Sequence, residues 1–252
     1  MTSGWVFLVT LAATLGGAVL GTLLRRWLPA SLLNTETRDV VRLGVGLLAT
    51  LSAVAISLMI ASAKTSYDTQ DAHFRQFSAN VILTDQLLAQ YGAEGVGVRK
   101  LMREAVPAAL DRIWAEKAIG APQHTAFTAS SAAEQVYDAI EKLAPVSDVQ
   151  RLLKPRIEQA SGDIARARLL MFADVDTPIQ RPFLLILVFW LTVIFVSFSL
   201  FIDPGPVIAV ALVVFARSIA SALFLVADLS RPFAGLMQIS NEHLRDALAP
   251  LN

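Results

Sequence analysis

The stretch from Phe183 to Ile202, FLLILVFWLTVIFVSFSLFI, holds no charged residue, and three further stretches resemble it: Trp5 to Leu24, Leu43 to Ala63 and Val207 to Ala227. Each is about 20 residues long, enough to cross the hydrocarbon core of a bilayer as a helix. Arg217, in the last of them, is the one charge among the four. With 55% hydrophobic residues in 252, a water-soluble fold would expose an apolar surface far beyond what soluble monomers tolerate. The sequence therefore predicts an all-α integral membrane protein with four transmembrane helices, its partner surface being lipid.

Four spans leave one large polar insert. The expected organisation is residues 1–63 for spans one and two, 64–181 for a helical extramembrane insert, 182–228 for a hairpin of spans three and four, and 229–252 for a C-terminal boundary segment. MTSG ahead of the first apolar run has no Lys or Arg and the run exceeds a usual signal-peptide core, so it is expected as a retained helix. Twenty-one basic against 21 acidic residues give no field that would gather nucleic acid, and none is expected as a partner. The absence of cysteine excludes disulfides, thiolate metal sites and cysteine nucleophiles.

Periodicity organises the insert. The second span runs on without Gly or Pro to Gly92, and Phe74, Phe77, Val81, Thr84, Leu88 and Tyr91 recur at three and four residues, a helix-packing seam. GAEGVG is expected to break it. A second seam runs through Val98, Leu101, Ala105, Ala109 and Ile113, with Pro107 predicting a kink or a break. Val136, Tyr137, Ile140 and Leu143 form a third, and Leu153, Ile157, Ala160, Ile164, Ala167 and Met171 a fourth. Such segments bury their seams against one another, as a helical bundle. In the first span Ala13, Gly17 and Gly21 share a face that lets another helix approach closely. DPGP at 203–206 suits a tight turn with Pro opening the fourth span. Five basic residues near the membrane on the insert side (Lys64, Arg75, Arg168, Arg181, Arg231) stand against Arg25, Arg26, Arg38 and Arg42 in the opposite loop; the expectation is a cytoplasmic insert.

No phosphate loop, dinucleotide-binding glycine motif, zinc-protease motif or hydrolase elbow is present, and His73, His124 and His243 are too scattered for a metal site. No catalytic residue, metal or cofactor is expected. Three constellations remain. Arg217 sits near the middle of the fourth span beside Ser218 and Ser221. A charge there costs at least ~2.5 kcal/mol on insertion scales, so it faces protein, water or a partner: either an anion-attracting group or a structural contact to carbonyls or a carboxylate. On the second span Thr50, Ser57 and Lys64 repeat at seven, followed by Asp68, Asp71 and Arg75. Around an axis of several copies this stripe lines a pore and its mouth; in a monomer it is a solvated face with i, i+4 ion pairs of ~0.3 kcal/mol. The third is the boundary motif after span four, where Asp228 emerges, Pro232 breaks the helix, Phe233 anchors in the interface and Gly235 allows a reversal.

Three blocks, GLLATLSAVAISLMIASAKTSYDTQ (46–70), RPFLLILVFWLTVIFVSFSLF (181–201) and ALFLVADLSRPFAGLMQIS (222–240), with LTDQLLAQYG (83–92), together resemble a bacterial membrane family described as bestrophin-like. The resemblance implies a multi-pass protein of the bacterial inner membrane, distantly similar to bestrophins, which are pentameric channels whose second helix lines the pore and narrows it with apolar side chains. By that analogy Leu51, Val54, Leu58 and Ala61 are constriction candidates and Lys64 and Asp68 form rings beyond them. The resemblance thus implies a homo-oligomer, pentameric by analogy, passing small ions. The chain departs from the family where DPGP replaces an APRN-like turn, where Ser230 follows Asp228 in place of a second acid, and where Arg217 replaces an apolar residue. The tail lacks the acidic run of the eukaryotic calcium clasp, so no calcium gating is expected. A non-conducting membrane scaffold or sensor whose insert binds a partner is the alternative.

Overall fold

The computed structural model describes residues 3–29, 34–119, 131–173, 181–202, 205–231, 233, 235–240 and 244. Among these the chain is all-helical, with α1 (Ser3–Trp27), α2 (Thr35–Tyr91), α3 (Ala93–Ile119), α4 (Ser131–Glu141), α5 (Asp148–Ala173), α6 (Arg181–Phe201) and α7 (Pro206–Leu229). Among the described residues α1, α2, α6 and α7 are the four helices long and apolar enough to span a membrane. The chain divides into two compact units: Met1–Ser66 with Thr177–Arg231, and Tyr67–Asp176 with Pro232–Asn252. His124, His243 and Pro232 lie outside the described residues.

In the first unit α1 packs on both α6 and α7. The small face of α1 meets α6: a Cβ on Gly17 would stand 2.9 Å from the Thr192 carbonyl oxygen, and one on Gly21 would meet the Val196 carbonyl oxygen and stand 2.9 Å from Ser199 Cβ. In lipid, where burial of apolar surface drives nothing, such backbone approach is what holds helices together. Val6, Leu187, Leu191 and Leu223 form the core between them, joined by Ala55, Ile56 and Met59 of α2. α7 opens with Gly205 at its N-cap and Pro206 in its first turn, as the sequence predicts.

α2 is 57 residues long. Asn34 caps its N-terminus, its Oδ1 accepting from the Thr37 N–H at 2.8 Å. The helix ends only at Gly92, whose φ of 104° is a left-handed conformation that suits glycine. α3 begins at once, so the break is a single residue; Gly95 and Gly97 lie inside α3. Gly95 is where α3 turns back on α2, since a Cβ there would collide with the Leu88 carbonyl oxygen.

The second unit is a bundle of the rear half of α2 with α3, α4, α5 and the C-terminal segment. Its core holds Phe74, Phe77, Val81, Leu88 and Tyr91 of α2, as the spacing predicts. On α3 Val98 and Ala105 are buried as the spacing predicts and Leu101 packs against the core, while Met102, Val106 and Leu110 form a second buried row one residue further on; the side chain of Ile113 lies outside those described. Pro107 neither breaks α3 nor ends it; the helix runs through it, the loss of one backbone donor being tolerated where packing on both sides fixes the chain. Val136, Ile140 and Leu143, then Leu153, Ile157, Ala160, Ala167 and Met171, complete the core. Ser147 and Gln150 start α5 with a reciprocal cap: Ser147 Oγ accepts from the Gln150 N–H at 3.2 Å, and Gln150 Oε1 accepts from the Ser147 N–H at 3.2 Å. Lys154 Nζ donates to the Glu141 and Leu143 carbonyls, closing the end of α4.

Candidate functional site

Within the first unit α2 is two-faced. Ser52 and Ala63 are buried and Ala55, Ile56 and Met59 are packed on the helix core, so this side is used internally. Thr50, Leu51, Val54, Ser57, Leu58, Ala61 and Lys64 are all exposed, as is Asp68 on the part of α2 that belongs to the second unit. At 100° per residue they fall within an arc of about 140° centred opposite Ser52 and Ala63. Leu51, Val54 and Leu58 are 55%, 53% and 66% exposed, values a core position never shows. Leu43 and Leu47 extend the same apolar face toward the helix start.

The hydroxyls on this face are satisfied locally. Thr50 Oγ1 donates to the Gly46 carbonyl at 2.9 Å and Ser57 Oγ to the Ala53 carbonyl at 2.9 Å. Each proton is thereby turned inward and the oxygen lone pairs remain outward, as acceptors. Farther on, charge takes over: Lys64 and Asp68 are exposed, and Arg75 Nε pairs with Asp71 Oδ2 at 2.8 Å one turn apart. Chemically the arrangement offers a hydrophobic stripe interrupted by acceptor oxygens and ending in both signs of charge.

Arg217 lies on a different helix. It is exposed in the middle of α7 with Ser218 and Ser221, whose hydroxyls donate to the Val214 and Arg217 carbonyls at 2.8 Å. Val210, Val213, Val214 and Leu225 continue this face as exposed apolar residues. None of the described spans offers it a carboxylate at that depth.

The boundary motif is divided between the two units. Asp228 is buried at the end of α7, its Oδ1 accepting from Ser3 Oγ at 3.2 Å, which ties the start of α1 to the end of α7. The sequence predicts Phe233 as an interfacial anchor, but the ring is 3% exposed and belongs to the core of the second unit. Trp114 meets it edge-on at 5.0 Å and meets Phe74 at 5.4 Å, so a bulky aromatic finds aromatic partners rather than headgroups. Gly235 is half-buried in a bend.

One cluster has no counterpart in the sequence motifs. Asp85 is buried on α2 and takes a bidentate pair from Arg99 (Nε to Oδ1 at 3.0 Å, Nη2 to Oδ2 at 2.8 Å), with Arg103 Nη2 at 3.3 Å from Oδ2. Burial raises the carboxyl's pKa, but hydrogen bonds and charge from the two guanidinium groups outweigh it and leave it below the ordinary carboxylate value. Two cations on one anion pin α3 to α2 beside the Gly95 contact. The spacing of 14 residues across a turn is what hides such a pair from local pattern reading. Among the described residues no three His, Asp or Glu side chains converge as a metal site requires.

No curated protein and no solved structure matches the chain. A family model described as the Bestrophin-like domain matches residues 11–244, nearly the whole length, and takes in the two-faced α2, the helical insert and the boundary motif. The chain belongs to the bestrophin-like family.

Proposed function

We propose that this protein is an oligomeric ion channel of the bacterial inner membrane, in which copies of α2 surround an axis and pass small monovalent ions, with anions slightly favoured. The observation that carries the reading is that Thr50, Leu51, Val54, Ser57, Leu58, Ala61, Lys64 and Asp68 are all exposed along one face of α2 among the described residues. Family membership supports it, since bestrophins are channels. Leu51, Val54 and Leu58 form the constriction, Thr50 and Ser57 supply oxygens between apolar rings, and Lys64 and Asp68 set charge at the mouth. Lys64, nearer the membrane than Asp68, favours anions. The insert is cytoplasmic and the assembly a pentamer by family analogy.

The test is current and flux through purified protein in liposomes under opposed chloride and potassium gradients, comparing wild type with Lys64→Ala. The expected result is conductance whose reversal potential moves toward potassium in the variant. Correctly inserted, oligomeric protein that passes no ion refutes the channel. A second reading, a scaffold whose insert binds a soluble partner, is favoured by Val96, Val146, Val149 and Leu152, which are exposed at the starts of α3 and α5. A stoichiometric soluble partner bound to a silent assembly would establish it.

A further inference from the structure

Arg217 stands about 18 Å from Leu229 and about 16 Å from Pro206 by helical rise, so it is at the centre of the span. Both distances exceed the length of an arginine side chain, which therefore does not snorkel to either surface. It is exposed, and with Ser218 and Ser221 it makes a polar island on an outward face otherwise built of Val210, Val214 and Leu225. A guanidinium facing acyl chains at that depth is costly, and none of the described elements of the first unit buries it.

We infer that this face of α7 is a subunit contact, with Arg217 seated against α2 of a second copy of the chain. The inference rests on the oligomer of the proposed function. Complementarity selects the partner surface. The four spans carry no carboxylate at mid-depth, so the acceptors are neutral oxygens. One flank of α2, beside the pore face, is exposed and small: Gly46, Ala49, Ala53 and Ser57. Among the described residues nothing lies within 4 Å of where a Cβ on Gly46 would stand, so they leave the flank open. Ala53 is about 16 Å before Lys64 and Ser218 about 16 Å before Leu229, which puts them at one depth on helices that cross the membrane in the same direction. Ser57, its proton already given to the Ala53 carbonyl, turns lone pairs toward the arginine's N–H donors. Small side chains let α7 come close enough for those donors to reach backbone carbonyls as well.

The chain has no cysteine, so every thiol in the test is an introduced one. Ser218→Cys and Ser221→Cys proteins carrying one tag are co-assembled with Ala53→Cys protein carrying another, oxidised in lipid, and scored for a reducible dimer holding both tags. The expected result is that mixed dimer, because facing Cβ atoms at van der Waals separation satisfy disulfide geometry. In parallel, the Arg217→Leu assembly is expected to dissociate at lower detergent concentration than wild type with helix content unchanged. Cross-links confined to like tags, no cross-link in an assembly of normal size, a monomeric protein, or an Arg217→Leu assembly as durable as wild type overturns the inference. Conduction without the cross-link leaves the channel standing and sinks only the contact.

Discussion

The α1–α6 contact gives the sharpest stability prediction because two glycines of one helix, five residues apart, experience opposite surroundings. A Cβ at Gly21 would meet the Val196 carbonyl oxygen and stand 2.9 Å from Ser199 Cβ, whereas a Cβ at Gly16 meets nothing within 4 Å. Carbon atoms pack at about 3.5–4.0 Å, so Gly21→Ala requires α6 to retreat by roughly 0.6–1 Å, and such a gap forfeits a quarter to a half of each dispersion contact along the seam. Overpacking of this kind costs about 1–3 kcal/mol. Alanine gains about 0.8–1.0 kcal/mol of helix propensity over glycine, but at both sites, so this cancels between the two variants. Gly16→Ala should therefore be the more stable of the pair by about 1–3 kcal/mol, with wild type between them or near Gly21→Ala. Reversible SDS unfolding in mixed micelles, followed by far-ultraviolet circular dichroism, measures the difference. Variants that agree within about 0.5 kcal/mol would refute the claim that close backbone approach holds α1 to α6.

Three further outcomes are expected. Because Asp85 is depressed in the folded bundle, its contribution is complete above the unfolded carboxylate value of about 3.9 and is lost as pH falls from there through the folded value; Asp85→Asn should cost about 2 kcal/mol at neutral pH and flatten acid unfolding below about pH 4. Phe233→Ala removes an aromatic that is 3% exposed, and should destabilise the second unit by about 3–5 kcal/mol; with Trp5, Trp27 and Trp190 replaced by Phe, the emission of Trp114 should move to the red, and an unmoved spectrum would count against its seat on that ring. Leu58→Ala, at a side chain 66% exposed, should change subunit stability by less than about 0.5 kcal/mol while raising single-channel conductance; a large stability loss with no change in current would place Leu58 in a core instead.

The spans and most of the bundle core were legible in the sequence because each rests on periodicity within one element. Phe74, Phe77, Val81, Leu88 and Tyr91 are buried as their spacing requires, and so are Leu153, Ile157, Ala160 and Met171. On α3 Val98 and Ala105 are buried where their spacing puts them, but a second apolar row through Met102, Val106 and Leu110 adjoins theirs, and only the neighbouring helices bring it into the core. Phe233 is buried for a different reason. Its nearness to a span made a headgroup anchor the local solution, while the aromatic pocket made by Trp114 and Phe74 is assembled from residues far away in the chain. The pairing of Asp85 with Arg99 and Arg103 leaves no periodic mark in the sequence, because the partners lie across a turn on two helices.

α2 shows why the functional face is harder to read than the fold. Along its apolar span the sequence is hydrophobic on every side, so composition alone does not separate the face that packs from the face that is free. Packing separates them: Ser52 and Ala63 are buried where bulkier residues would push α2 off its neighbours, and the large side chains Leu43, Leu47, Leu51, Val54 and Leu58 point away. A face meant only for lipid gains from bulk everywhere. Here the bulky row is bordered by Gly46, Ala49, Ala53 and Ser57, which give little to lipid and much to an approaching helix. The bulky row suits a constriction around an axis and the small flank suits the subunit beside it, so the two proposals use adjoining arcs of one helix and do not compete for the same residues, save Ser57 at their shared edge.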